Sequence, residues 1–226
     1  MSLFSSAIAV CGQCGEQKDV ELAASVNAAR RPELRDAILD GTFQAELCPK
    51  CGTQMRLPAN LTYIDMTHHQ WIIVEDIAAR DDWRTSEIHA AELYDKSFGA
   101  NAPAAARGLG DELTARLVFG WPALREKIHA RALGLDDVTL ELLKIAMIRS
   151  IASPPLAAET ELRLTAGDAE TLTFTWFEPR AERALSTVEI GRDVYDSIAA
   201  APGAWAALHA DLDGNLFVDV NRLIFA

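Results

Sequence analysis

Cys11-Gly-Gln-Cys14-Gly15 and Cys48-Pro-Lys-Cys51-Gly52 contain every cysteine in this 226-residue chain. Two residues between the cysteines of each pair let both sulfurs turn toward one ion. The glycine that follows supplies the positive φ needed to close so tight a turn. Two such knuckles on neighbouring hairpins give four thiolates and a closed tetrahedral shell, the donor set of a structural zinc ribbon. Matched pairs, matched glycines and no stray cysteine make the pattern specific. The expected metal ligands are therefore Cys11, Cys14, Cys48 and Cys51, and the expected cofactor is one structural Zn²⁺.

The 33 residues between the pairs exceed the usual ribbon spacing, and a short helix accounts for the excess. Pro32 suits its first turn, Leu34, Ile38 and Leu39 face inward, and Gly41 stops it. Around the knuckles the pattern is strand-like. Ser6–Val10 and Val20–Ser25 flank the first pair, and Leu61–Ile64 with Trp71–Val74 read as a hairpin after the second.

Residues 77–152 read as helical. Segments at Ser86–Ser97, Asp111–Phe119 and Pro122–Leu133 surround an alanine-rich link, Asn101–Gly110. Asp136–Ser150 is the most apolar helix, buried in the core or against a partner. Ser153-Pro154-Pro155 breaks the run. Beyond it, Glu161–Thr165 and Thr171–Phe177 alternate as a hairpin, with Leu172, Phe174 and Trp176 on one face. A strand at Leu185–Ile190, a helix at Arg192–Ala200 and a hairpin turning at Asp213-Gly214 complete the chain. The expected class is α+β in three parts: a zinc ribbon with an inserted helix (1–76), a helical segment (77–152) and an antiparallel β-rich segment (153–226).

The formal charge is −12, and four thiolates with one divalent ion bring it to −14. Residues 1–60 carry six Lys or Arg against seven Asp or Glu, so the cysteine region has no basic face for a phosphate backbone. Nucleic-acid binding is disfavoured. The apolar opening, Met1–Val10, lacks the positive region of a signal peptide. A lipoprotein reading would consume Cys11 and puts a poor residue, Val10, before it. No window is apolar enough to span a membrane. The chain reads as cytoplasmic, where cysteines more often bind metal than form disulfides.

Rival readings of the cysteines fit less well. A thioredoxin-like dithiol needs one pair beside a βαβ pattern, and here there are two pairs without one. A rubredoxin-like iron carrier shares the tetrathiolate shell, but Phe43 is the only aromatic between the pairs. His68-His69 fall in a turn, and adjacent residues on a strand face opposite ways. His89, His129 and His209 stand apart. Asp211-Leu-Asp213-Gly214-Asn215 lacks the late bidentate acid of a calcium loop. Tyr63 and Asp65 share a strand face and read as a hydrogen-bonded structural pair. No nucleophile elbow or phosphate-binding glycine loop is present.

Several stretches together resemble the CpXC domain proteins of bacteria, named for their Cys-Pro-x-Cys element. They are Ala9-Val10-Cys11-Gly-Gln-Cys14-Gly, Pro32-Glu-Leu-Arg-Asp-Ala-Ile-Leu-Asp-Gly41, Cys48-Pro-Lys-Cys51-Gly and Leu61-Thr-Tyr63-Ile-Asp65. Leu135-Asp-Asp137 with Glu141-Leu-Leu-Lys-Ile145 extends the likeness. The resemblance is specific over residues 9–76, weaker to about residue 150, and faint beyond. It implies zinc binding by the four cysteines and no particular activity.

The leading expectation is a non-enzymatic protein that binds other proteins or itself, through Asp136–Ser150. The alternatives are an enzyme with a pocket between the helical and C-terminal segments, an iron electron carrier, and a nucleic-acid-binding ribbon.

Overall fold

A computed structural model describes residues 2–152 and 160–224. The Ser153-Pro154-Pro155 boundary lies outside these. Strands β1 (Leu3–Val10) and β2 (Gln17–Asn27) form an antiparallel hairpin around the first cysteine pair. Helix α1 (Pro32–Leu39) follows, with Pro32 in its first turn, Ile38 buried, and Gly41 at φ +80° just after its end. Two three-residue strands, β3 (Ala45–Leu47) and β4 (Gln54–Arg56), carry the second pair. Then come β5 (Leu61–Asp65) and β6 (Gln70–Glu75), the hairpin read from the sequence.

A 3-10 turn (Ile77–Asp82) leads into α2 (Trp83–Phe98). Two expectations fail in the next stretch. The alanine-rich link contains a short helix, α3 (Ala104–Gly110), and Thr114–Phe119 is a strand, β7, where a helix was expected. β7 pairs in parallel with β6, and Leu117, Val118 and Phe119 are all buried. A strand covered on both faces has a continuous apolar run in place of alternation, which short sequence windows cannot tell from a buried helix.

Helices α4 (Gly120–Ala132) and α5 (Asp137–Ser150) follow, with Asp136 capping α5 through its side chain to the Thr139 N–H at 2.8 Å. Strands β8 (Glu161–Gly167), β9 (Thr171–Glu178) and β10 (Arg183–Gly191) form an antiparallel sheet. Helices α6 (Arg192–Ala199), α7 (Ala206–Leu212) and the single turn α8 (Asn221–Ile224) complete the described chain. Among the described residues the expected last hairpin does not form. Gly214, at φ +78°, instead closes the turn after α7, where the Asn215 amide donates to the Asp211 and Leu212 carbonyls.

Among the described residues the architecture is thus a mixture of helices with three sheets. The largest sheet runs β1-β2-β5-β6-β7, with β2–β5 and β6–β7 parallel. Parallel neighbours need crossovers, and the two here contain α1 with the β3–β4 hairpin, and α2 with α3. Ile72 and Val74 pack toward α1 and α4, while Trp71 and Ile73 pack toward α2. A second core joins α5 and α6 to β8 and β9, with Leu172, Phe174 and Trp176 on the buried face.

Helix α5 belongs to that second core. Val138, Leu140, Leu142, Leu143, Ile145 and Met147 are covered by the chain's own elements. Asp136–Ser150 therefore presents no apolar face for self-association, because the burial that its composition demands is met within one chain. Among the described residues, no helix is long and apolar enough to cross a membrane.

Candidate metal centre

The two cysteine pairs are built alike. β1 ends at Val10 opposite Gln17, and β3 ends at Leu47 opposite Gln54, so each knuckle caps an antiparallel ladder. The Cys11 N–H donates to the Glu16 carbonyl at 2.8 Å, and the Cys48 N–H to the Thr53 carbonyl at 2.9 Å. The Gly15 N–H returns to the Cys11 carbonyl and the Gly52 N–H to the Cys48 carbonyl, at 2.8 and 3.0 Å. Gly15 and Gly52 lie at φ +73° and +72° with open space where a Cβ would stand, so conformation and not crowding calls for glycine there.

The knuckles meet with all four sulfurs within 4.8 Å of one another. Cys11 Sγ lies 3.7 Å from Cys51 Sγ, and Cys14 Sγ lies 3.6 Å from Cys48 Sγ. A tetrahedron of sulfurs at about 2.3 Å from a central ion has edges of about 3.8 Å. A disulfide would hold two sulfurs at about 2.05 Å. All four cysteines are free, with Cys11 and Cys48 buried and Cys51 exposed. The four donors are of the right kind and number, and lie close enough together, to hold one metal ion.

Their electrostatics fit the same reading. The Thr53 hydroxyl, 3.3 Å from Cys51 Sγ, and the Thr53 N–H pull the Cys51 thiol down to about 6. Backbone N–H groups, Cys51's foremost, also lower Cys48. The Glu16 N–H pulls on Cys14, but burial and the other three sulfurs outweigh it and push that thiol up to about 12. Sulfurs this close compete for negative charge, and a divalent cation among them would relieve the competition. Around the centre, Lys18 bonds Glu46 at 2.6 Å and Lys50 approaches Glu16 to 3.6 Å, each pair joining one hairpin to the other.

Other expected features resolve separately. The Tyr63 hydroxyl donates to Asp65 at 3.3 Å, and Asp65 also accepts the Thr67 and His68 N–H groups. His68 Nδ1 sits 2.8 Å from Asp65, while His69 is exposed at φ +53° in the turn. Burial and the Asp65 charge push the Tyr63 phenol upward. His89, His129 and His209 lie on three different helices. Between the helical and C-terminal parts lie a cavity of about 150 Å³, lined by Leu39, Pro122, Arg125, His129, Leu164, Thr165 and Phe177, and one of about 360 Å³ whose lining includes Gly41, Arg56, Arg125, Arg180 and Glu182. The second reaches the lower end of an ordinary ligand pocket, roughly 300–1,000 Å³.

A feature absent from the sequence reading is a buried ion network. Five carboxylates (Glu126, Asp137, Glu141, Glu161, Asp219) face five cations (Arg80, Arg116, Lys127, Lys144, Arg163). Lys144 reaches Glu126 at 3.0 Å and Glu141 at 2.8 Å. Arg163 reaches Glu126, Glu161 and Asp219 at 2.9, 2.6 and 2.5 Å. Against burial, Lys144 and Arg163 hold Glu126 below the usual carboxylate range. Burial wins at Glu141 and pushes it to about 7, despite Lys144. The sequence carried a signal in Leu140-Glu141-Leu-Leu-Lys144-Ile145, where two charges sit inside an otherwise apolar helix.

Over residues 9–144 the sequence matches the CpXC protein family. That span exceeds half of the chain, which therefore belongs to this family. Neither comparison, with curated proteins or with solved structures, finds a match.

Proposed function

We propose that this CpXC protein carries one structural zinc ion on Cys11, Cys14, Cys48 and Cys51, in a ribbon interrupted by α1. With that ion as a fixed cross-link, the protein works in the cytoplasm as a scaffold that binds other proteins or itself, and not as a catalyst. The observation that supports this best is that two equivalent knuckles bring four sulfurs within 4.8 Å of one another, with the two cross-knuckle separations of 3.6 and 3.7 Å near a tetrahedral edge. Four protein ligands close the shell and leave no position for substrate water. Thiolate donors suit zinc or iron alike, so the metal is the first thing to measure. Elemental analysis of purified protein should find one zinc per chain and no visible absorbance. A coloured, iron-containing protein would favour an electron carrier, and a metal-free folded protein would refute the reading.

A further inference from the structure

An antiparallel or mixed sheet must protect its edges, because a row of unpaired N–H and C=O groups is a template for another strand. Three of the long sheet edges described here are protected. The β7 edge is covered where the Leu117 N–H donates to the Leu216 carbonyl at 2.9 Å. The β8 edge is capped by Glu126, which accepts the Leu164 N–H at 2.8 Å. β10 carries Arg183 and Glu189, and its register slips between Ala184 and Ser186.

Among the described residues β1 has neither a charge nor a covering bond on its open edge, and its register with β2 slips only at its first residue, between Leu3 and Phe4. It runs for eight residues, Leu-Phe-Ser-Ser-Ala-Ile-Ala-Val, with no charge and no proline, at the end of the five-stranded sheet. The Cys11–Glu16 bond fixes which backbone groups face β2. Counting back by twos along the ladder, Ala9, Ala7 and Ser5 face inward, and Val10, Ile8, Ser6 and Phe4 face out. Those outward residues share one sheet face, on which Phe4, Ile8 and Val10 are 38, 63 and 60 % exposed.

We propose that β1 is a dimerisation edge that pairs antiparallel with β1 of a second copy of this chain. The pairing makes one continuous ten-stranded sheet about a two-fold axis near Ala7. In that register Phe4 lies opposite the second copy's Val10 and Ile8 opposite its Ser6, so apolar or small side chains meet on both faces. Charge favours this occupant. A charged peptide would find no counter-charge on β1, whereas two neutral strands let chains of charge −12 meet without apposed like charges. Among the described strands, the neutral one with an open edge is β1 itself. A single strand pair is smaller than a standard interface of about 1,600 Å², so association should depend on concentration. This proposal names the surface and partner for the scaffold reading and rests on it.

The test is sedimentation of the full, metal-loaded chain over a roughly hundredfold concentration range, with Ser6→Pro and Ile8→Lys alongside. Ser6 points its N–H outward, so proline there spares the β1–β2 ladder. The wild type should dimerise reversibly, and each variant should raise the dissociation constant at least about tenfold while keeping its metal and melting temperature. A wild-type monomer throughout, or a dimer that both variants leave intact, overturns the proposal. Metal analysis of the same samples separates its failure from that of the zinc reading.

Discussion

The cysteine hairpins and the α4–α5–β8 interior are both small polar assemblies that join distant parts of the chain, but they are held in different ways. At the knuckles the apolar support is slight: Cys11, Cys48 and Met55 are the buried residues of that cluster, with Ala9 and Cys14 against it. β3 and β4 are three residues each, below the length at which a hairpin is stable by itself. In the interior, five acidic and five basic groups are packed among the leucines of α5 and the β8–β9 sheet. On the proposed reading one region takes an ion to close it, and the other supplies its own counter-charges.

The sharpest way to break that comparison is to remove the metal. Chelation, or Cys48→Ser, should lower the melting temperature by roughly 10 °C or more. By hydrogen exchange, β1–β4 should lose protection while α5 keeps it. Equal loss in both regions would mean that they unfold as one unit and that the contrast is false.

Next in size is the opposite lesion. Arg163→Ala strands Glu126, Glu161 and Asp219 without their shared cation, at a cost of about 3–5 kcal/mol. Denaturant titration measures it, and metal content should stay unchanged.

Within the network, two carboxylates should behave differently. Glu126 has a depressed pKa, so its ionised form stabilises the fold, and that contribution is lost as pH falls through its folded pKa. Glu141 is raised from 4.5 to about 7. Between those values the folded chain holds a proton that the unfolded chain has released, so stability from this group falls as pH rises through the window. Glu141→Gln should flatten that decline and stay within about 1 kcal/mol of wild type near pH 8, while Glu126→Gln costs more. Melting curves across pH decide it, and equal costs would contradict the assignment.

The smallest effect belongs to the pair joining the hairpins. Lys18 and Glu46 are about one-third exposed, so Lys18→Ala should cost less than about 1 kcal/mol in thermal melts of the metal-loaded protein. A larger loss would show that side-chain pairs, and not the sulfurs, hold the knuckles together.

The same contrast explains what was legible in the sequence. The knuckles are local motifs: spacing, glycine and donor type stand next to one another in the chain, and so does the Pro32–Gly41 helix. The Tyr63–Asp65 pair followed from strand alternation. The ion network is non-local, assembled from residues between Arg80 and Asp219, and only Glu141 and Lys144 hinted at it. β7 was missed because burial on both faces removes the alternation that marks a strand. The role given to α5 failed for a related reason: composition says that an apolar helix must be covered, not by what.

The central claim is the closed tetrathiolate zinc site, and X-ray absorption at the zinc edge of the purified chain tests it most directly. The account predicts four sulfur neighbours at about 2.3 Å and no nitrogen or oxygen neighbour. Fewer than four sulfurs, a light-atom ligand in the shell, or no zinc at all would contradict it.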